Sequence, residues 1–298
     1  MHRSGTTWVG KMLAASSKVA YISEPLNVLW HRTGVMRATV EHWYTYICEG
    51  NQDDFYPAFR DTLNYRYGLW EEFVSLRSLR GFLRMIRGYS RFLGGRVCRA
   101  RPLLKDPFAV FSAPWFAKRL GCQVVITVRH PAAVISSLKR LGWQFDMNDL
   151  LAQPLLMRDH LEPFRAAMEE ILKDPEDVIT QGSLLWRMIY QAVNRYRVTR
   201  PDFLVFRHED LSRSPMEGFE RLYVALALEF SPRVKRTIFK ATRAGNPREV
   251  TTHQAHAVQL DSRANLYNWK YRLNEAEITR IRELTEDVAE YFYADEDW

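Results

Sequence analysis

Short runs dense in β-branched and aromatic residues, each followed by a helical stretch, set the strongest limit on what this chain can fold into. The clearest are Gln123 to Val128 (QVVITV) and Asp202 to Arg207 (DFLVFR); Val19 to Ile22 and Leu103-Leu104-Lys105 are shorter. These apolar runs lack alternation, which predicts strands covered on both faces. Helical periodicity follows at Thr6 to Ser17, Ala113 to Leu120, Pro131 to Leu141 and Ser214 to Leu228. A terminal helix is predicted over Asn274 to Phe292, with Asn274 as N-cap and Glu277 in capping-box position. The alternation predicts an α/β domain with a parallel sheet flanked by helices.

Two stretches break this rhythm. Residues 27–101 are rich in Trp, Tyr, Phe and Arg and read as mainly helical. Within them Arg77, Arg80, Arg84, Arg87 and Arg91 recur at spacings of three and four, along one helical face. From Arg77 to Arg101 there are eight arginines and no acid. A solvated basic face, an anion-holding wall or contact with an anionic membrane surface would each suit that pattern. The second stretch, Arg243 to Arg272, has little periodicity and is expected to be a long ordered loop.

Composition narrows the function classes. A formal net charge of +7, from 42 Lys+Arg against 35 Asp+Glu, favours an anionic partner. Cys48, Cys98 and Cys122 are widely spaced and form no CxxC pair, which argues against a zinc ribbon or disulfide framework and suits a reducing compartment. No apolar run approaches the ~18 residues of a membrane span, so the expected location is cytoplasmic, with peripheral membrane contact through Arg77–Arg101 left open. No RRM, zinc or helix-turn-helix pattern supports nucleic-acid binding.

The chain opens His2-Arg3-Ser4-Gly5-Thr6-Thr7-Trp8 and runs straight into a helix. A glycine, hydroxyl residues and a basic side chain at a helix N-terminus make an anion cradle, because backbone N–H groups and the helix dipole converge there. The same residues also suit a plain helix cap. Gly5 to Lys11 (GTTWVGK) matches the spacing of a Walker A loop, but Met12 stands where Ser or Thr would hold Mg²⁺.

Arg3-Ser4-Gly5-Thr6-Thr7-Trp8 resembles the 5′-phosphosulfate loop of sulfotransferases that use 3′-phosphoadenosine 5′-phosphosulfate (PAPS). Further matches follow in the family's order. Arg129 at a strand end and Ser137 eight residues on resemble its 3′-phosphate motif. Arg207-His208-Glu209-Asp210-Leu211 resembles a strand-end segment in which His208 replaces the usual Tyr. Ser262-Arg263 and Asn268-Trp269-Lys270 resemble the C-terminal donor-contacting loop. Lys105-Asp106-Pro107-Phe108 is similar to a stretch of tyrosylprotein-type members, and Glu24-Pro25-Leu26 to one of carbohydrate-type members.

The resemblance implies one domain over residues 1–298, of α/β, P-loop nucleotide-kinase-like fold, with residues 27–101 as a helical acceptor-side insertion. It implies transfer of a sulfuryl group from PAPS to a hydroxyl or amine, on a saccharide, glycolipid or other small molecule, with no metal expected. Arg3, Ser4, Gly5, Thr6, Thr7, Trp8, Arg129, Ser137, His208, Ser262, Arg263, Trp269 and Lys270 would bind the donor. Glu24 is the first choice for the base, ahead of Asp106 and His31, and Arg3 would stabilise the leaving phosphate. A P-loop nucleotide kinase or NTPase, and a non-catalytic polyanion binder, remain alternatives. In such folds the phosphate loop follows a buried central strand, yet only Met1 and His2 precede Arg3; a strand before residue 1 is therefore expected to be missing.

Overall fold

The computed structural model describes residues 1–30, 32–249 and 258–298. All four predicted strands form. β1 (Val19–Ser23) pairs in parallel with β2 (Arg101–Lys105), from Val19 opposite Arg101 to Ser23 opposite Lys105. β3 (Val125–Val128) pairs in parallel with β4 (Leu204–Arg207), from Val125 opposite Leu204 to Val128 opposite Arg207. The expected single central sheet is thus divided into two parallel pairs.

Met1 is buried beside both pairs. Its carbonyl accepts a 2.6 Å hydrogen bond from Ser4 Oγ, which lies 3.1 Å from Thr127 Oγ1 on β3. Its α-amino group feels the carboxyl of Asp106, just past β2, and burial lowers that amine to about 5. No main-chain ladder joins the two pairs among the described residues.

Helix α1 (Thr6–Leu13) carries the opening loop and stops short of the predicted Ser17. The insertion holds α2 (Gln52–Leu63), α3 (Leu69–Val74) and α4 (Leu79–Val97). It is less helical than expected: the described residues between 24 and 51 run as turns. There the Asn27 side chain accepts from the N–H groups of Leu29 and Trp30, a local bond that competes with a helix. α5 (Ala113–Leu120) and α6 (Pro131–Leu141) match expectation and end on Gly121 and Gly142 in left-handed geometry. The capping box at Asn274 and Glu277 opens the helix Glu275–Ala289. In the stretch expected to be a loop, Trp269–Arg272 is a short helix, and residues 250–257 lie outside the described residues.

The helix Val178–Thr199 escapes the sequence reading. Most of its residues are buried, including the polar Gln181 and Ser183, and only a narrow polar stripe of Thr180, Arg187, Gln191 and Asn194 marks its helical period. This helix anchors the strand end that carries Arg129. Trp186 Nε1 donates to the Arg129 carbonyl at 2.9 Å, and Tyr190 Oη donates to the Thr127 carbonyl at 3.2 Å. Two fully buried rings thereby fix the end of β3.

Burial sets the acid stability. His130 packs against Trp269, Tyr293 and Trp298, and neither ring nitrogen finds a partner among the described residues. Burial pushes both His2 and His130 from 6.5 down to about 3. Each stays neutral in the fold while the unfolded chain takes up a proton. Stability is therefore lost as pH falls below 6.5, by about 1.4 kcal/mol per pH unit per histidine. Burial raises Asp106 from 3.8 to about 7, so this carboxyl holds its proton in the fold and offsets one histidine between those values. The variant His130→Phe is expected to flatten the plot of unfolding free energy against pH by about 1.4 kcal/mol per unit on the acid side, read by urea titration. An unchanged slope would locate the acid lability in other groups.

Candidate active site

The opening loop turns on two left-handed residues, Arg3 (φ 63°) and Gly5 (φ 87°). Gly5 tolerates no side chain, because a Cβ would fall on the buried ring of His208. This close approach brings the N-terminus of α1 against the end of β4 and leaves its first-turn N–H groups, with Thr6 and Thr7, facing a cleft of about 1650 Å³. Gly10, the second glycine of the Walker-like spacing, lies inside α1, where a Cβ would come within 2.9 Å of the Tyr21 ring. Met12 is buried in the core on the far side of that helix. The kinase-like spacing is therefore a packing device here, and the magnesium hydroxyl has no equivalent.

Arginines crowd the floor of the cleft. Arg3 Nε donates to Ser137 Oγ at 3.0 Å, and Arg129 Nη1 donates to the Arg3 carbonyl at 2.9 Å. Burial first, and then the nearby Arg129, Arg140 and Arg272, lower Arg3 from 12.5 to about 10. Glu249 accepts from both Arg140 and Arg272. Arg129 is buried and its Nε has no partner among the described residues. A desolvated guanidinium with an open donor, in a cluster of its own sign, is chemically suited to an anion. Trp8 also lines the cleft; its ring packs edge-on against His208 and Phe219, and its Nε1 is buried without a partner among the described residues.

A carboxylate–ammonium pair stands on the adjoining wall. Glu24, left-handed at φ 46°, pairs with Lys105 at the end of β2 and accepts from Asn27 Nδ2 at 2.6 Å. Both Glu24 and Lys105 line the cleft. Asp106 does not reach it. Its oxygens accept from the N–H groups of Leu26 (2.7 Å) and Phe108 (3.0 Å), so it ties the turn after β1 to the end of β2. Asp106 as a base is therefore corrected to a structural tie, and His31 lies outside the described residues.

The remaining predicted residues divide. His208 and Ser262 line the cleft, with Ser262 Oγ donating to the Ser212 carbonyl at 2.9 Å. Ser4 sits behind the loop, bonded to Met1 and Thr127. Arg263 turns to the Arg213 carbonyl, and Lys270 to the Trp298 carbonyl. Trp269 is buried in a stack on His130 with ring centroids 5.0 Å apart. In this structure these four (Ser4, Arg263, Lys270 and Trp269) are hydrogen-bonded or packed around the site and do not line the cleft. Glu209 is likewise structural, accepting from the His130 N–H and the Tyr293 hydroxyl.

Arg140 and Arg272 join the site without having been singled out by residue pattern, and Lys105, quoted only as the first residue of the Lys105-Asp106-Pro107-Phe108 stretch, joins it through its pair with Glu24. Arg140 lies three residues after Ser137, on the same helix face, and Lys105 ends a parallel strand on the side where such sheets bind ligands. Those two positions carry a usable signal; Arg272 has none beyond its nearness to Lys270.

A profile described as the sulfotransferase family matches residues 1–232. The chain belongs to that family. It is 24% identical over 185 residues to carbohydrate sulfotransferase 4 of Mus musculus, which covers 61% of this chain and 41% of that protein. The chain thus spans less than half the length of that curated relative. A solved sulfotransferase domain from the curacin biosynthetic pathway aligns with a TM-score of 0.47 and 16% identity, over 95% of this chain and 93% of that one.

Gly5→Ala is expected to lower the melting temperature, since it combines a left-handed backbone costing ~1–2 kcal/mol with the collision at His208. Adding His208→Ala should recover the collision but not the backbone cost. Full recovery in the double variant would mean that the left-handed turn is dispensable.

Proposed function

We propose that this protein transfers a sulfuryl group from PAPS to a hydroxyl or amine of a small acceptor carrying a saccharide. The observation that supports this most is the buried Arg129, with its unpartnered Nε, bonded to the carbonyl of the anion loop and sharing a cleft with Glu24 and Lys105. The residues fit such a donor. The N–H groups of α1, Thr6, Thr7 and Arg3 suit one phosphate, and Arg129 with Ser137 suits a second.

When bound, PAPS supplies an activated sulfuryl group on a phosphate leaving group. The protein's part is to hold, orient and move one proton. Glu24 would take the acceptor hydroxyl proton as its oxygen bonds to sulfur and the sulfur–oxygen bond to the phosphate breaks. The Lys105 ammonium and the Arg3 guanidinium would stabilise the negative charge that gathers on the departing side. Cationic side chains already set in a buried floor need little rearrangement to do so.

On the acceptor side the cleft is walled by Trp30, Trp43, Tyr65, Phe92, Arg32 and Arg91. Aromatic faces pack on the apolar faces of sugar rings, and arginines hold carboxylate or sulfate substituents. The name of the mouse relative points the same way. A volume of about 1650 Å³ exceeds the ~300–1,000 Å³ of a single-ligand pocket and has room for donor and acceptor together.

A thermal-shift comparison without metal tests the donor. Adenosine 3′,5′-bisphosphate is expected to stabilise the protein more than adenosine 5′-phosphate or ATP. Stabilisation only by ATP with Mg²⁺ would instead favour a nucleotide kinase. Arg129→Ala should weaken adenosine 3′,5′-bisphosphate about tenfold to a hundredfold more than adenosine 5′-phosphate, because a charge-assisted contact is worth ~1.5–3 kcal/mol; the loss common to both ligands reports the bond from the same guanidinium to the Arg3 carbonyl. Equal losses for the two ligands would remove Arg129 from the 3′-phosphate.

Glu24→Gln should leave nucleotide binding in place and cut turnover by ~10²-fold or more in an acceptor screen. Turnover near that of the parent protein would require another base.

A further inference from the structure

Helix α4 buries one face and exposes an apolar one. Gly81, Met85, Gly88, Phe92 and Gly95 face the body of the protein, and the small residues let the helix press close to Arg32, Tyr65 and Tyr67. The opposite side carries Leu79, Leu83, Ile86, Leu93 and Val97, all exposed. At about 3.6 residues per turn these five fall in one narrow stripe along the helix. Next to the helix, Trp70 and Phe73 of α3 stack on each other, also exposed. Eleven of the twenty large apolar side chains exposed among the described residues lie between Leu69 and Val97, so this is one patch and not a scatter.

The charge beside this stripe says what covers it. Arg80, Arg84, Arg87 and Arg91 run along the flank between the apolar stripe and the buried face, and none makes an ion pair among the described residues. No acid occurs in α4. A protein partner of ordinary composition would leave these guanidiniums without counter-charges, whereas a sheet of acidic headgroups supplies one for each. No helix among the described residues is long and apolar enough to cross a membrane, so α4 would lie along the surface.

We propose that the exposed face of α4 docks on the headgroup layer of an anionic bilayer, with Leu83, Ile86 and Leu93 entering the acyl boundary and Arg80 and Arg87 meeting lipid phosphates. Arg84 and Arg91 of the same row also line the cleft, so docking sets the cleft mouth at the membrane surface. The proposal stands apart from the donor chemistry, and its test uses neither nucleotide nor turnover.

The experiment is co-sedimentation of the protein with vesicles of phosphatidylcholine alone and of phosphatidylcholine with phosphatidylserine. Binding is expected to the mixed vesicles only, and to weaken as salt rises. The triple variant Leu83→Gln/Ile86→Gln/Leu93→Gln should lose at least about tenfold of that binding, and Arg80→Gln/Arg87→Gln a similar amount. Both variants should keep the parent's melting temperature, since all five side chains are exposed. Failure of the parent protein to bind mixed vesicles overturns the proposal, as does binding by the triple variant at the parent's level. So does a parent dimer that the triple variant converts to monomer, because a second copy would then cover the face.

Discussion

The guanidinium of Arg129 holds the cleft together by donating to the carbonyl of Arg3. That bond ties the end of one parallel pair to the loop that begins the first helix, across 126 residues of chain. It is backed by buried groups that also pack the core. Trp186 fixes the Arg129 carbonyl, Tyr190 fixes the neighbouring Thr127 carbonyl, and Ser4 bridges Thr127 to Met1. With those in place, Arg3 can turn back to Ser137 although Arg129, Arg140 and Arg272 oppose it. The cationic floor is a like-charged arrangement only partly offset by Glu249, and the bonds that hold it are the ones that hold the fold, so the fold and the site are hard to separate.

The two acidic residues at the ends of β1 and β2 show how position decides chemistry. Asp106 has both oxygens committed to backbone N–H groups and sits out of the cleft, whereas Glu24 meets an ammonium and an amide at the cleft wall. A sequence offers both as carboxylates beside a proline. Only the turn geometry, with Glu24 in a left-handed conformation, separates the one that lines the cleft from the one that does not.

Much of this is legible in the chain's residues alone. The apolar runs without alternation locate four parallel strands, and the loop glycine stands out by residue type at a helix start, while Arg129, Ser137 and Glu24 are reached through the family resemblance of short local motifs. Such features depend on neighbours within a few residues. What is lost depends on distance. Trp269 and Lys270 read as ligand contacts until their partners, His130 and Trp298, come into view from elsewhere in the chain. The long helix Val178–Thr199 hides because burial of most of its length, polar Gln181 and Ser183 included, leaves its amphipathic period only a narrow stripe. Arg272 joins the cleft through folding of a stretch with little periodic signal at all.

The contact between Gly5 and His208 reaches beyond the stability of one loop. The ring occupies the space that any side chain at position 5 would need, and Gly5's left-handed backbone rules out most residues independently. The two positions can therefore change only in order: the ring must shrink or move before the glycine can be replaced, and even then the backbone resists. Among natural relatives sharing this loop, position 208 should drift among rings of differing size and polarity while position 5 stays fixed. A change in the shape of the cleft beside the loop would then be reached through the ring at 208 and not through the loop itself.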